Sequence, residues 1–368
     1  MNSFPSSLAD LASRHPHEMR SHLRGAFEIE RVTAAQMQMS ERAWAEAFMV
    51  MRAPRDSVER QALVLCRDVA QGSEAVVNSL RANRITPTVP VQSVHSAAPS
   101  TTGAQTCRWC ERSALDTAQP DLAVDVFGAV HAANGRVRAG ANWARQAPVS
   151  GIVFGDAHMH DLFALSRADF RALFEAAQLY VSAARAALPH IQYFEVFING
   201  GARSAASVQH AHAQVVGRGG RHFAYPEAIA ARAPADYWDT VRAVHEGLGL
   251  AVEFESGMAW ANLVPVKERD ITAFSRTLTD GADMMYGILR ALMQRGTNSF
   301  SLTAILAPVS VDGSAAPERF SNWQPVLWRL LDRGDAHARH ADIGCLELFG
   351  SGVVATDPFE LAGWLRAA

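Results

Sequence analysis

The chain has 368 residues, of which 49% are hydrophobic and 19% are charged, and its formal net charge is −3. This is the composition of a globular protein with roughly two domains of ordinary size. Because the sequence has no basic excess, nucleic acid is not expected as a partner. No run of apolar residues approaches the roughly 18 that would cross a membrane, so no membrane association is expected either.

The cysteine content favours a reducing compartment, and we expect the cytoplasm. The chain contains four cysteines, Cys66, Cys107, Cys110 and Cys345. Four cysteines in so long a chain do not make a disulfide framework. The N-terminal residues also lack the apolar segment of a secretory signal. The close pair Cys107 and Cys110 therefore needs another explanation.

Residues 1–95 are predicted to form a mostly helical N-terminal extension and linker. ERAWAEAFMVMRA (41–53) is rich in strong helix formers, and VERQALVLCRDVA (58–70) repeats apolar residues at intervals of three and four. Pro54 lies between these two stretches. The Pro-, Ser- and Thr-containing stretch 84–106 has no period, which indicates a linker or an extended crossing segment.

A first unit of strands and one long helix is predicted within residues 96–222. APVSGIVFGD (147–156) is a short apolar run typical of a strand, and residues 166–188 form an amphipathic helix with Ser166 as its N-cap. Two further strands follow, IQYFEVFING (191–200) and VQHAHAQVVGR (208–218), with a loop of small residues between them.

A second, similar unit is predicted within residues 223–368. Its pattern is a helix over 234–250, two strands about a glycine turn over 250–266, a long helix over 271–296 and a strand over 300–309. The stretch 328–340 is rich in charge and favours a solvated loop over the alternative that Arg329, Arg333 or Arg339 lies near a phosphate. Residues 357–368 are predicted to form a helix. A strand-rich unit with a long helix thus occurs twice, which predicts a duplicated α+β architecture.

The strand 208–218 carries polar residues in phase. Side chains two residues apart in a strand face the same side, so His210, His212 and Gln214 line one face while Ala211 and Ala213 line the other. The simpler interpretation is a half-exposed strand with incidental polar residues. Two histidines and a glutamine in phase favour a functional face instead.

The CRWC stretch has the spacing of a zinc-binding pair. Two thiolates in C-x-x-C can share one tetrahedral metal ion, and here they would be Cys107 and Cys110. The other two ligands would come from distant sequence, either from GDAHMHDLFAL (155–165) or from the histidines of 208–218. A redox pair and two buried free cysteines remain as alternatives.

A rival metal hypothesis rests on Asp156, His158 and His160. These residues resemble the D-x-H-x-H start of metal-dependent amidohydrolases and polymerase-type phosphoesterases. Such enzymes build a barrel with further His and Asp ligands at later strand ends. The eight strand–helix repeats of a barrel are not visible in this sequence, so the hypothesis ranks second.

Taken together, the motifs resemble the galactose-1-phosphate uridylyltransferase branch of the histidine-triad (HIT-like) superfamily, which includes ADP-glucose phosphorylase. That family's active strand reads H-P-H-G-Q or H-S-H-S-Q, and this chain has His-Ala-His-Ala-Gln at 210–214. The family's N-x-G-A loop corresponds to 199–202, and its serine three residues before the first histidine corresponds to Ser207. Its H-x-L-x-x-L segment corresponds to 160–165, and its C-terminal glycine–glutamate segment to 344–352. The resemblance covers roughly residues 105–368.

The resemblance implies the fold, the metal and the chemistry. It implies two HIT-like units, at 96–222 and 223–368, and one structural Zn²⁺ ion. It implies a nucleotidyltransferase or phosphorylase that acts on a nucleoside diphosphate sugar through a covalent nucleotidyl-histidine, with a phosphate-bearing acceptor. The family's transferases are often homodimers. The implied zinc ligands are Cys107, Cys110, His160 and His210.

The implied roles separate the two histidines of the active strand. His212 would be the nucleophile, and the main chain of His210 would hold the other ring nitrogen of His212. Gln214 and Ser207 would donate to phosphate oxygens. The substrate-binding residues would be Asn199, Gly200, Gly201 and Glu347.

Some features depart from the family pattern. The proline and glycine of the active strand are alanines here, which leans slightly towards adenylyl or phosphorylase chemistry. The second unit lacks the H-x-H that supplies a further metal in some uridylyltransferases, so no second metal is expected. The family's usual N-terminal opening is not visible in residues 1–95.

Three other functions compete with this interpretation. The first is a nucleotide hydrolase on the same fold, with water as the acceptor. The second is a zinc-stabilised binding protein without activity, against which the joint presence of His212, Gln214 and Ser207 argues. The third is the metal-dependent amidohydrolase-like enzyme that uses His158 and His160.

Overall fold

The structure is a computed structural model of the chain. The residues that it describes are 27–33, 36–68, 74–77, 124–125, 130–131, 137–155, 164–204, 206, 210–232, 237–247, 249–262, 267–309, 320, 323, 325–334, 343, 348 and 358–368. All structural statements below refer to these residues.

The secondary structure is mixed. The strands are β1 (Phe27–Thr33), β2 (Met37–Gln38), β3 (Ala62–Asp68), β4 (Glu74–Val77), β5 (Val124–Asp125), β6 (Val130–His131), β7 (Val137–Ala141), β8 (Val149–Gly155), β9 (Tyr193–Gly200), β10 (His212–Arg218), β11 (Ala251–Phe254), β12 (Gly257–Ala261), β13 (Ile271–Ser275), β14 (Phe300–Leu306) and β15 (Val326–Asp332). The helices are α1 (Glu41–Met51), α2 (Arg55–Glu59), α3 (Arg167–Ala187), α4 (Ala224–Arg232), α5 (Tyr237–Gly247), α6 (Leu278–Met293) and α7 (Pro358–Leu365).

One antiparallel sheet of ten strands dominates the fold. Its strand order is β11-β12-β13-β15-β14-β9-β10-β8-β7-β6. The sheet divides at the β9–β14 pair into two five-stranded units with the same chain order: three strands, a long helix, then two strands. Outward from that central pair, β10, β8, β7 and β6 of the first unit correspond to β15, β13, β12 and β11 of the second. This topology confirms the predicted duplicated α+β architecture.

The two long helices pack on the same face of the sheet, here called the back face. Apolar side chains of both helices and alternate strand residues form one continuous core there. Its members include Ala213, Val215, Phe174, Tyr180, Trp328, Leu330, Met285 and Ile288. Because side chains alternate along a strand, His212 and Gln214 point to the opposite side, here called the front face.

Both long helices begin with the same local chemistry. The hydroxyl of Ser166 accepts a hydrogen bond from the backbone N–H of Asp169 at 3.1 Å, as the cap of α3 predicted from the sequence requires. The hydroxyl of Thr277 accepts from the backbone N–H of Asp280 at 3.0 Å and caps α6. Such caps satisfy N–H groups that have no partner inside the helix.

The N-terminal region is mixed rather than helical. Helix α1 forms where it was predicted, but the run predicted as helical over 58–70 contains strand β3, which pairs with β1 and β4 in a three-stranded sheet. The apolar run Ala-Leu-Val-Leu-Cys is compatible with either structure over so short a window, and strand pairing decides the outcome. The division of the chain at residues 95 and 222 remains a prediction.

Two predictions in the second unit were also wrong in detail. Residues 271–275 form strand β13, and α6 begins only after the Thr277 cap. Residues 326–332 form strand β15 rather than a loop, because Trp328 and Leu330 are buried in the core while Arg329 points to the other face. Nonlocal burial therefore outweighs the high local charge of this stretch.

The antiparallel sheet is also not the parallel barrel that the D-x-H-x-H hypothesis needs. None of the helices among the described residues is long and apolar enough to cross a membrane.

Candidate functional site

His212 is the first residue of β10, and the residue is 5% exposed. Its Nδ1 atom lies 2.7 Å from the backbone oxygen of His210. A carbonyl oxygen only accepts hydrogen bonds, so Nδ1 carries the hydrogen in the neutral ring and Nε2 carries the lone pair. The main chain of the active strand therefore fixes the tautomer that a nucleophilic histidine needs.

His210 has the opposite tautomer. Its Nε2 atom lies 2.9 Å from the backbone oxygen of Gly155, at the end of β8, and its ring packs edge-on against Phe154. Nε2 therefore donates, and Nδ1 holds the lone pair. A metal-binding histidine commonly donates its second ring N–H to a carbonyl in this way. The alternation of the sequence made the two histidines look alike, whereas β10 begins only at His212 and the hydrogen bonds make them chemically different.

Gln214 lies two residues further along β10 and is partly exposed on the front face. Its Oε1 atom accepts hydrogen bonds from Nδ2 of Asn142, at 3.3 Å, and from Nε2 of Gln146, at 3.2 Å. With two donors on the oxygen, the Nε2 group of Gln214 points away from them and remains the donor end of this side chain.

Asn142 and Gln146 were not predicted from the sequence. Both lie in the connection between β7 and β8, four residues apart. Two amide side chains in a short connection could have indicated a polar site. That indication becomes specific only when β8 is known to pair with β10. In that pairing Gln214 lies opposite Ile152, and Ser150 lies beside the connection.

Asn199 and Gly200 are the last two residues of β9, and Gly201 follows them directly. A Cβ atom on Gly200 would lie 2.3 Å from the ring of Phe300, and one on Gly201 would lie 2.2 Å from the backbone oxygen of Asn298. Gly201 also has a φ of +83°, a conformation that favours glycine. Close packing against the second unit therefore accounts for both glycines.

Asn199 is held by the second unit. Its Oδ1 atom accepts from the hydroxyl of Ser301 at 3.2 Å, and that hydroxyl accepts from Nη1 of Arg333 at 3.1 Å. The register of β9 with β10, continued by two residues, places Asn199 opposite His212. As in Gln214, the amide oxygen is occupied and the amide nitrogen is the donor end.

The remaining predicted site residues lie outside the described part of the chain. They are Ser207, Glu347, Cys107, Cys110 and His160, together with Asp156 and His158 of the rival hypothesis. No group of three or more potential metal ligands is gathered among the residues that the structure describes. The zinc site therefore stays a prediction, of which only His210 is placed.

Comparison with known proteins gives a match at the level of structure. No protein-family model and no curated protein matches the sequence. An ADP-glucose phosphorylase from Arabidopsis thaliana with bound ADP-glucose matches 83% of this chain and 98% of its own length, at 14% identity and a TM-score of 0.51. A uridylyltransferase structure matches 63% of this chain and 84% of its own length, at 15% identity and a TM-score of 0.50. At these identities the similarity establishes the fold.

Proposed function

We propose that this chain, whose fold is that of the galactose-1-phosphate uridylyltransferase-like branch of the HIT-like superfamily, is a nucleotidyltransferase or nucleotide-sugar phosphorylase. The observation that carries the proposal is the 2.7 Å contact between Nδ1 of His212 and the oxygen of His210. This contact prepares Nε2 as a neutral nucleophile on the front face. It also stabilises the positive charge that the ring acquires when Nε2 forms a bond.

The proposed reaction proceeds in two balanced steps. In the first, the Nε2 lone pair attacks the α-phosphorus of a nucleoside diphosphate sugar, an N–P bond forms and the bond from that phosphorus to the bridging oxygen breaks. The sugar phosphate leaves with the electron pair. In the second, a phosphate oxygen of the acceptor attacks the same phosphorus, and the electron pair of the N–P bond returns to Nε2. Nδ1 keeps its hydrogen throughout.

The two amide groups would stabilise the charge on the phosphoryl oxygens. Gln214 and Asn199 present N–H donors because their oxygens already accept hydrogen bonds within the protein. Fixed donors of this kind need no reorganisation during the reaction, and removal of one typically costs about 10²–10³ in rate. Ser207 would add a hydroxyl donor, and Glu347 would bind a sugar hydroxyl.

One zinc ion would be held by Cys107, Cys110, His160 and His210. The orientation of His210 fits this role, because a metal-binding histidine commonly donates one ring N–H to a backbone carbonyl, as Nε2 of His210 does to Gly155. Four protein ligands leave no open position, so the ion would supply stability and not chemistry. His210 would thereby be fixed, and with it the carbonyl that holds His212.

Intact mass spectrometry tests the proposal. The protein is incubated with UDP-sugars, ADP-sugars or dinucleoside polyphosphates in the absence of acceptor. We expect a mass gain of one nucleoside monophosphate, and its size names the base. His212→Ala should abolish the gain, whereas His190→Ala, at an exposed histidine, should retain it. Added phosphate or sugar phosphate should discharge the adduct.

Other outcomes separate the competing functions. An adduct that water discharges as fast as phosphate does would indicate the hydrolase. A protein that forms no adduct with any donor, and whose activity survives His212→Ala, would contradict the proposal.

A further inference from the structure

We infer that Asn142 and Gln146 are positioning residues that set the direction of the Gln214 carboxamide. This inference rests on the proposed function, because it assigns to Gln214 the role of donor to a phosphoryl oxygen. The two residues would not touch the substrate. They would act by holding Oε1 of Gln214, so that its Nε2–H group faces the reacting phosphorus.

A backbone N–H group fixes the direction of the hydrogen bond from Asn142 to Gln214. The backbone N–H of Ala144 donates to Oδ1 of Asn142 at 3.0 Å, so Nδ2 of Asn142 is turned towards Gln214. Gln146 adds a second amide donor to the same Oε1 atom at 3.2 Å. If the carboxamide of Gln214 rotated by 180°, its NH₂ group would face the NH₂ groups of Asn142 and Gln146, and donors would oppose donors. The orientation of Gln214 therefore depends on both neighbours.

The segment 142–148 that carries these residues is firmly anchored to β8. The backbone N–H of Asn142 donates to the backbone oxygen of Ser150 at 2.7 Å, and that of Gln146 donates to the hydroxyl of Ser150 at 3.3 Å. Within the segment, Nη1 of Arg145 donates to the backbone oxygen of Pro148 at 3.0 Å. The segment is thus rigid enough to hold a neighbouring side chain.

A buried ion pair also holds the same segment in place. Nη2 of Arg145 lies 2.7 Å from Oδ1 of Asp125, and both side chains are 0% exposed. The hydroxyl of Tyr180 on α3 donates to the other oxygen of Asp125. Burial, and then the negative charge of Asp125, raise the pKa of Tyr180 well above its usual value, so this hydroxyl stays a donor.

The N-terminal region contributes one further anchor. Gln61 is 1% exposed, its Oε1 atom accepts from the backbone N–H of Arg145 at 3.1 Å, and its Nε2 group donates to the backbone oxygen of Trp143. Trp143 and Ala144 also pack in an apolar cluster with α1. The N-terminal region therefore supports the segment that orients Gln214.

The decisive substitution is Asn142→Asp, because it keeps the shape and replaces a donor by an acceptor. A carboxylate beside Oε1 should turn the Gln214 amide over and direct an oxygen at the phosphate. We expect kcat with the adduct-forming donor to fall by about 10²–10³, as for a lost donor, with KM nearly unchanged. Asn142→Ala, which only removes the bond, should have the smaller effect.

A double-mutant cycle separates positioning from general damage. In a Gln214→Ala background, Asn142→Asp should lower kcat by no more than about twofold, because the side chain on which it acts is absent. An equal fall with and without Gln214 would overturn the inference. So would a loss of affinity for AMP or UMP in Asn142→Ala, measured by calorimetry, because it would place Asn142 against the nucleotide.

A spectroscopic measurement tests the inference without any turnover. The side-chain NH₂ signals of Gln214 are identified in a ¹⁵N spectrum by their loss in Gln214→Ala. Asn142→Asp and Gln146→Glu should both shift them, in proteins whose melting temperature shows that they are folded. Unmoved signals would overturn the inference even if the transfer reaction is confirmed, and shifted signals would support it even if no adduct forms.

Discussion

The two units share one backbone plan, and their equivalent positions can be matched bond by bond. Asn142 follows β7, and its backbone N–H donates to the oxygen of Ser150; Asn262 follows β12, and its N–H donates to the oxygen of Asp270. This alignment places Ile152 of β8 at the position of Thr272 in β13. Gln214 lies opposite the first, and Arg329 lies opposite the second.

The same alignment identifies the residue of the second unit that corresponds to His212. His212 lies opposite Phe154, and the equivalent Phe274 lies opposite Leu327. Leu327 is buried in an aromatic cluster that α5, Phe320 and Trp323 place over the front face. The cluster contains Tyr193, Trp238, Trp260, Phe274, Phe320 and Trp323. In the second unit an apolar core thus occupies the position that corresponds to the site.

The position that corresponds to Gln214 also has a structural role in the second unit, where it is occupied by Arg329. Arg329 makes a bidentate ion pair with the buried Asp270, through bonds of 3.1 and 2.7 Å. Nδ2 of Asn262 donates to the same carboxylate at 2.7 Å. In the first unit, Nδ2 of the equivalent Asn142 donates to Gln214 instead. A few side chains therefore distinguish the front face of the first unit, which carries His212 and Gln214, from the closed structural network of the second unit.

The largest expected effect is the loss of stability caused by Asp270→Asn in the structural network of the second unit. This change leaves the 13% exposed Arg329 without its carboxylate, so the free energy of unfolding should fall by about 3–5 kcal/mol. Urea denaturation measures it. Arg171→Gln, in the partly exposed pair of Arg171 with Asp283, is the control and should cost less than about 1 kcal/mol. Equal costs would contradict the structural role given to Asp270.

A smaller effect is expected at Leu327, the counterpart of His212. Leu327→Ala opens a cavity in the aromatic cluster and should destabilise the protein by about 3 kcal/mol. The adduct at His212 should still form at a temperature where the variant is folded. Val309→Ala, at a residue that is 46% exposed, is the matched control and should change stability little. A loss of adduct formation in folded Leu327→Ala would mean that the second unit takes part in the chemistry.

The smallest effect concerns a feature that both units have kept. Ser166→Ala and Thr277→Ala each remove the cap of a long helix, and each should cost about 1 kcal/mol in thermal or urea unfolding. Because the two capping bonds have nearly the same length, the two costs should be similar. A clear difference would show that the helices are not equivalent in their contribution to stability.

The sequence predicted well what depends on local pattern. Alternation along the strand predicted that His212 and Gln214 share a face, and Ser166 predicted the start of α3. Repetition of the pattern predicted the duplication. The helix predicted over 271–296 was wrong only at its start, where residues 271–275 form β13, and the loop predicted over 328–340 was wrong at 328–332, which belong to β15. Both strands are defined by their neighbours in the sheet.

What sequence could not provide is the direction of the hydrogen bonds. The tautomer of His210 depends on a carbonyl 55 residues away, and the orientation of Gln214 depends on amides 68 and 72 residues away. These partners meet only because β7, β8 and β10 are adjacent, a nonlocal arrangement that no local pattern encodes. The roles of Ser207, Glu347 and the proposed zinc ligands stay predictions.

The pairing of β9 with β14 has a consequence for the order in which the protein is made. Asn199 and its partner Ser301 are 102 residues apart in the chain, and they belong to different units. A ribosome therefore exposes the strand that borders His212 long before the strand that covers its edge exists. An uncovered edge is prone to pair with other chains. The front face around His212 is thus complete only after the second half of the chain has been synthesised.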